Sequence, residues 1–342
     1  MSDTILVTGA GGYIGTALVD ALLAKGKRVI GLDRYFFGDD LLGDTLKHPS
    51  FTLLRKDNRS IDKSDFRGID AVCDLAALSN DPAGALDERL TFAINHEARA
   101  RTAELAKADG VKRYVLASSC SIYGAGDGIS SEESTPSPVS TYAKANLTAE
   151  QSVLPLASSG FIVTALRQAT VFGLSKRMRF DLVVNLMTRT AHQDRRIQVT
   201  GGGQQWRPIV HVQDTARAFA SVLELPASTV SGHVFNIGSN EHNYQVSSIA
   251  YIVRESIPLP IEVIPVLEDR DTRDYRVSFD RAERVLGYRA QFGPADGARE
   301  IYEALKLGRV DTGPRTVTVK WYQHIMDAKR LVDALAIEGR LL

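Results

Sequence analysis

The chain carries no excess charge of either sign: 41 lysines and arginines balance 41 aspartates and glutamates over 342 residues. That balance gives no reason to expect nucleic acid or an anionic membrane as a partner. Cysteine is scarce. Cys73 and Cys120 are too few for a disulfide framework or a metal centre, and both sit in or beside predicted buried strands, so they read as small core residues. Long apolar runs are missing too. None approaches the ~18 residues of a membrane span. No leader-like segment precedes the first predicted strand, so a cytoplasmic location is expected. Internal repeats and low-complexity stretches are absent. The length exceeds the usual single-domain size, which calls for one large or two interleaved domains.

What is present is organised around Ile5-Leu-Val-Thr-Gly-Ala-Gly-Gly-Tyr-Ile-Gly15. Three apolar residues read as a short buried strand, and Gly9, Gly12 and Gly15 follow. Behind them Ala17, Leu18, Ala21, Leu22 and Leu23 recur at helical spacing, so the order is strand, tight turn, helix. A side chain at these glycines would block either the turn or a pyrophosphate approaching the backbone. The helix start, at Tyr13 and Ile14, offers free N–H groups and the positive end of its dipole. The next strand, Lys27 to Asp33, ends in a carboxylate 18 residues after Gly15. That is near the ~20-residue spacing of an acid that grips the adenosine ribose. Together these features predict a dinucleotide-binding Rossmann fold.

Strands and helices alternate through the first half. Predicted strands cover Phe51–Leu54, Ala71–Leu75, Tyr114–Ala117 and Phe161–Leu166; predicted helices cover roughly Asp87–Ala108 and Ser140–Ala157. This alternation implies a doubly wound parallel sheet with ligand at the carboxyl ends of the strands. The pattern changes near Arg167, where segments shorten and Gly201-Gly-Gly203, Pro208, Pro226 and Pro258 interrupt them. The expected organisation is α/β: a Rossmann-type domain over 1–166, a smaller α+β substrate-binding domain over 167–320 interleaved with the first sheet, and a C-terminal helix over 321–342.

Two segments carry the chemistry, Ser118-Ser-Cys-Ser-Ile-Tyr-Gly124 at a strand end and Ser140-Thr-Tyr-Ala-Lys-Ala-Asn146 at a helix start. With Thr8-Gly-x-x-Gly-x-x-Gly15, Asp57, Ala76-Ala77, Asn95, Glu150, Arg167 and Arg207-Pro-Ile-Val-His-Val-Gln-Asp214, the chain resembles the extended short-chain dehydrogenase/reductases. These are the NAD-dependent nucleotide-sugar epimerases and dehydratases, UDP-galactose 4-epimerase among them. The resemblance spans essentially the whole chain. It implies that Ser119 hydrogen-bonds the reacting sugar oxygen and that Tyr142 exchanges a proton with it as hydride moves.

At one position the chain departs from the family. Four residues after the tyrosine the family has a lysine that lowers the tyrosine pKa and bonds the nicotinamide ribose; here that position is Asn146. An asparagine keeps a ribose hydrogen bond but supplies no charge. Lys144 cannot substitute, because two residues along a helix turn it about 200° away from Tyr142. Three readings stand: a natural variant that activates Tyr142 by another cation or by the cofactor's own positive ring, a substitution made to trap a ligand, or a binder that has lost redox chemistry. We favour the natural enzyme, because Ser119, Tyr142 and the phosphate-binding features all persist.

Further residues narrow the expectation. Family dehydratases carry an acidic pair after the catalytic Ser/Thr, where this chain has Cys120 and Ser121. Elimination is therefore disfavoured, and oxidation and reduction at one carbon remains. By resemblance, Asp33 accepts two ribose hydroxyls and repels a 2′-phosphate, favouring NAD; Arg34 beside it is also assigned to the cofactor and would soften that preference, although neighbouring side chains on an extended segment diverge. Asp57 and Asn58 are expected at the adenine, Leu75, Ala76 and Ala77 along the dinucleotide, and Asn95 supporting the segment beside the nicotinamide or else exposed on the helix surface. Ser79, Ser119, Ser121, Thr170, Arg179, Arg207 and Arg273 are assigned to the nucleoside-diphosphate sugar, the arginines because their planar fork suits a diphosphate. His211 reads as structural. No metal is expected. The expected activity is NAD-dependent nucleotide-sugar epimerisation through a transient keto-sugar. The alternatives are a keto-sugar reductase with exchangeable NAD(P)H and, from another class, a catalytically weakened dinucleotide-binding sensor. A homodimer formed through the long helices is expected by resemblance.

Overall fold

The computed structural model describes residues 3–126, 128–267 and 274–340. A seven-stranded, wholly parallel sheet forms its centre, in the order His233–Ile237, Ile162–Gln168, Arg113–Ser119, Ala71–Asp74, Thr4–Thr8, Arg28–Asp33 and Phe51–Arg55. The inner strands are short and buried on both faces, which is why the chain spells them as apolar runs, while the edge strand Phe51–Arg55 leaves Thr52 and Arg55 exposed. The first strand shows how: Ile5 and Val7 face one core, Leu6 the other. On the Ile5 side the helices Tyr13–Ala24 and Val212–Val222 pack against the sheet and each other. On the Leu6 side lie Ala98–Ala108 and Thr141–Val153, which contribute Ala103, Ala106, Ala149 and Val153.

Six of the seven strands stand where the sequence puts them. The seventh, His233–Ile237, and the helix before it return from the second half, so the two units are interleaved within one sheet. The boundary expected at residue 166 falls inside the strand Ile162–Gln168, which continues past it. The second unit has its own core of Phe172, Val184, Met187, Ile197, Ile249, Val253 and Tyr302. It carries a three-stranded sheet, Asn243–Gln245, Trp206–His211 and Thr170–Phe172, and a parallel pair, Arg196–Thr200 with Glu262–Val266. Cys73 and Cys120 are free, fully buried thiols.

Two helices differ from expectation. The helical run 88–108 contains a π-turn, Ala93–Glu97, between Glu88–Phe92 and Ala98–Ala108. Such a turn is common beside functional sites because it re-aims the side chains that follow. Here Thr91, Asn95, Arg99 and Thr102 are all buried, a polar stripe facing the sheet. The C-terminal helix begins earlier than expected and stops earlier, spanning Thr318–Leu335, with no αL residue to end it.

Candidate active site

A single cleft runs across the carboxyl ends of the strands, lined at one end by the glycine turn and Asp33 and at the other by Ser119, Tyr142 and Thr170. The glycine turn is shaped by its own packing. Gly9 has φ +72°, and a Cβ there would lie 2.8 Å from the Leu75 carbonyl carbon; one on Gly15 would lie 2.0 Å from the Gly9 oxygen. These two glycines therefore permit the strand, turn and helix to close on one another. Gly12 caps the helix Tyr13–Ala24 without a side-chain hydrogen bond, and no acid stands in the first turn. The positive helix end is left facing the cleft, as an anionic diphosphate requires.

Asp33 closes this end. Its Oδ2 accepts from the Gly11 N–H at 3.0 Å and its Oδ1 from the Tyr35 N–H at 2.7 Å. Burial raises its pKa, and these backbone donors work against that rise. Both oxygens keep lone pairs for vicinal hydroxyls. Arg34 does turn away from Asp33: its Nη1 reaches Asp57 at 3.0 Å and its guanidinium lies 4.3 Å from the Phe36 ring centroid. Asp57 also takes two bonds from the Arg59 side chain, and the Arg59 pairing leads in holding its pKa down at about 2. Asn58 donates to the Ile94 carbonyl at 3.2 Å.

A rim beside Asp33 comes from the far end of the chain. The Trp321 indole donates to the Phe36 carbonyl at 2.7 Å, and the Tyr322 ring packs on Phe36 and Phe37. Arg315 holds the Phe37 carbonyl at 3.0 Å and pairs with Asp40. Arg177 stacks 3.7 Å from the Phe37 centroid and donates to Thr318 Oγ1. Phe36, Phe37, Arg177 and Tyr322 all line the cleft. Among these rim residues the sequence pointed only to Arg177, which with Arg179 follows Phe172-Gly173 where the resemblance implies substrate contacts.

At the reacting end Ser119, at the end of its strand, lies beside Tyr142, in the first turn of the helix Thr141–Val153. Burial is the leading influence on Tyr142 and raises its pKa; the Ser119 hydroxyl opposes it, Asp81 adds to it, and Arg179 and Arg99 lower it. Ser119 Oγ also accepts from the Ser121 N–H at 3.1 Å. Ser121 Oγ and Gln168 Oε1 are buried without a partner among the described residues, and both residues line the cleft beside this pair. They are polar atoms left for a ligand.

Asn146 is buried and has no charge of its own, yet it touches one. Its Oδ1 accepts from Arg99 Nη1 at 3.0 Å and its Nδ2 donates to the Tyr142 carbonyl at 2.9 Å. Arg99 is 1% exposed, pairs with Asp74 through Nε at 3.1 Å, and donates to the Asp74 and Ala117 carbonyls. Lys144 is exposed.

Of the other predicted residues, Asn95 is buried, and its amide bonds both the N–H and the carbonyl of Leu78 at 2.8 and 3.0 Å, fixing the segment above the cleft. Its alternative reading as a helix-surface residue fails on that burial. Ser79 and Arg179 meet on the cleft wall, where Arg179 forks onto Asp181 at 3.1 and 3.0 Å. Gly12, Tyr13, Ile14, Leu75, Ala76, Ala77 and Thr170 all line the cleft. Arg207 stands behind it: buried, it donates to the Trp206 carbonyl and lies 5.7 Å from the ring centroid of Tyr275, which does line it. Arg273 lies outside the described residues. His211 is buried, with Nε2 bonded to Glu300 at 2.7 Å and Nδ1 accepting from the Gln213 N–H, a structural cap. The sequence carried a signal for Arg99, the four-residue spacing Thr91, Asn95, Arg99, but a helix arginine is ordinarily read as solvated.

Residues 5–238 match the profile of the NAD dependent epimerase/dehydratase family. The chain belongs to that family. It is 30% identical to an uncharacterized UDP-glucose epimerase, YtcB, of Bacillus subtilis, over 83% of this chain and 86% of the relative. It is 28% identical to UDP-glucose 4-epimerase of Mycolicibacterium smegmatis, over 87% and 97%. Among solved structures it is similar to MoeE5 in complex with UDP-glucuronic acid and NAD, at TM-score 0.77 and 30% identity, covering 89% of this chain and 99% of that one. As a member of the family the chain is an enzyme, an NAD-dependent nucleotide-sugar epimerase or oxidoreductase. The residues present fit that cofactor: an uncapped, acid-free helix start for its diphosphate, and Asp33 for a ribose. No helix among the described residues is long and apolar enough to cross a membrane.

Proposed function

We propose that this enzyme inverts one hydroxyl-bearing carbon of a uridine-diphosphate hexose or hexuronate, C4 by analogy with its relatives. The observation that carries the reading is Ser119 beside Tyr142, next to Ser121 Oγ and Gln168 Oε1, which have no partner among the described residues, in the same cleft as the glycine turn and Asp33. NAD, when bound, supplies the hydride acceptor and donor. Tyr142 Oη takes the proton of the sugar hydroxyl, and Ser119 Oγ holds that oxygen in line as it becomes a ketone. Reversing both transfers on the opposite face of a rotated keto-sugar gives the epimer.

The protein's carboxylates do not suit elimination. Besides Asp33 and Asp57, both at the nucleoside end, the cleft is lined by Asp81, whose Oδ1 accepts from Ser140 Oγ. Asp33 also favours NAD over its 2′-phosphorylated form, because a phosphate would meet a carboxylate already facing two backbone donors. Arg179, forked onto Asp181 beside Ser79, and Arg207 behind Tyr275 are the cations we place nearest the sugar and the diphosphate. We further read the enzyme as a cytoplasmic homodimer joined through the neighbouring helices Ala98–Ala108 and Thr141–Val153; light scattering that gave a monomer mass would remove the second part.

The deciding experiment incubates the purified protein with UDP-glucose and, separately, UDP-glucuronic acid, and resolves the products by NMR. Conversion of either to its 4-epimer without added reductant supports the reading. A net gain of NADH, or an eliminated product, overturns it.

A further inference from the structure

Asn146 has a fixed orientation because arginine has only donors, so the amide oxygen must face Arg99 Nη1 and the amide nitrogen must face the Tyr142 carbonyl. The second Nδ2 hydrogen has no partner among the described residues, and Asn146 lines the cleft. Arg99 in turn is held rigidly. Asp74 faces its Nε side and is itself satisfied by Thr8 Oγ1 and the Tyr114 hydroxyl, each at 2.5 Å. The carbonyls of Asp74 and Ala117 take Nη2, which leaves Nη1 for Asn146. A partner at each of its three nitrogens is what makes a buried guanidinium tolerable at 1% exposure. Such a set does not explain why a charge is there at all: Ala98, Ala103 and Ala106 show how small apolar residues fill the rest of this helix face.

We propose that Arg99 is a positioning residue of the active site, locking the Asn146 amide toward the cofactor ribose and setting a permanent positive charge behind Tyr142. One cationic side chain at position 146 would combine both tasks; here the donor stands on one helix and the charge on the next, joined by a 3.0 Å hydrogen bond. Tyr142 is faced by Ser119 from the strand end, by Asp81 with the opposite sign, by Arg179 with its partner Asp181, and by Arg99 with its partner Asp74. Asp74 lies on the Nε edge of Arg99, away from the Nη1 edge that meets Asn146, so the pair presents its positive end to the site.

The test needs no sugar substrate, so it stands apart from the functional reading on which the proposal rests. In the complex with NAD, the ionisation of Tyr142 is followed as the phenolate absorbance that Tyr142→Phe lacks. Arg99→Met is expected to move that ionisation upward by about one pH unit or more, and Arg99→Lys to recover most of the shift. In NADH fluorescence titrations, Asn146→Ala and Arg99→Met are each expected to weaken binding by roughly 2- to 10-fold, the loss of one oriented hydrogen bond. If Arg99→Met fails to fold because Asp74 is left unpaired, Arg99→Met with Asp74→Asn removes both charges and is measured instead. A folded variant without Arg99 that ionises Tyr142 at the wild-type pH and binds NADH as wild type overturns the proposal. A fall in melting temperature alone, with both other readouts unchanged, assigns Arg99 a purely structural part and also overturns it.

Discussion

Placing a lysine at position 146, which would restore the residue the family pattern has there, is expected to harm this protein. Asn146 Oδ1 accepts from Arg99 Nη1 at 3.0 Å, in a region where both residues are almost fully buried. An ammonium there offers no acceptor and sets a second positive charge beside the guanidinium. At a separation of about 4 Å and an effective dielectric of about 20, the repulsion is about 4 kcal/mol. Asp74, 3.1 Å from Arg99 Nε, offsets part of it. The lost hydrogen bond to a charged donor adds about 1–3 kcal/mol. A net destabilisation of about 3 kcal/mol is expected, read as a lowered denaturation midpoint with an unchanged slope. Pairing Asn146→Lys with Arg99→Met removes the repulsion, so the double variant should be more stable than Asn146→Lys alone. That non-additivity is the signature of direct coupling. If Asn146→Lys is as stable as wild type, and its Tyr142 ionises lower as a simple added cation would demand, the reasoning about Arg99 is wrong.

Other outcomes follow from the same geometry. Tyr142→Phe should lower turnover of the UDP-sugar by about 10²–10⁴-fold while leaving NAD content, assayed after denaturation, unchanged. Gly15→Ala puts a Cβ 2.0 Å from the Gly9 oxygen; the turn must shift, and a stability loss of about 1–3 kcal/mol with loss of bound NAD is expected. Asp57 contributes stability that is present above its unfolded pKa of about 4 and lost as pH falls towards its folded value of about 2. Asp57→Asn should therefore flatten the acid limb of the stability curve in that window, by a small amount because the group is partly exposed. Asp33→Ser removes the carboxylate that repels a 2′-phosphate, so the ratio of NADP to NAD affinity should rise in a binding titration.

The Rossmann half was legible because its signals are local. A strand, three glycines, a helix and an acid at the next strand end fall within 33 residues, and each is dictated by backbone geometry that few other residues meet. Ser119 and Tyr142 stood out only through the resemblance to the family's catalytic pattern, not through any local geometry. Arg99 was not, because what makes it part of the site is a partner on another helix and a carboxylate on a strand. Its four-residue spacing from Asn95 puts the two on one helix face, but nothing in the sequence says that this face is the buried one. The cleft rim was hidden for the same reason: Phe36 and Tyr322 are 286 positions apart in the numbering, and nothing in either segment announces the other. Arg207 stood out by its match to the family's diphosphate arginine, whereas its contact with Tyr275, which lines the cleft where Arg207 does not, is one no motif encodes.

That rim has a consequence for the order in which the site is made. Domains take shape from the N-terminus as synthesis proceeds, and the glycine turn, Asp33, Ser119 and Tyr142 all lie upstream of Arg315, Trp321 and Tyr322. Until those three residues emerge, the ribose end of the cleft lacks one wall. A nascent chain can thus present a recognisable dinucleotide seat long before it can enclose what sits there. Enclosure waits for the helix Thr318–Leu335, and a chain that stopped short of Pro314 would keep Ser119 and Tyr142 while leaving the seat open on one side.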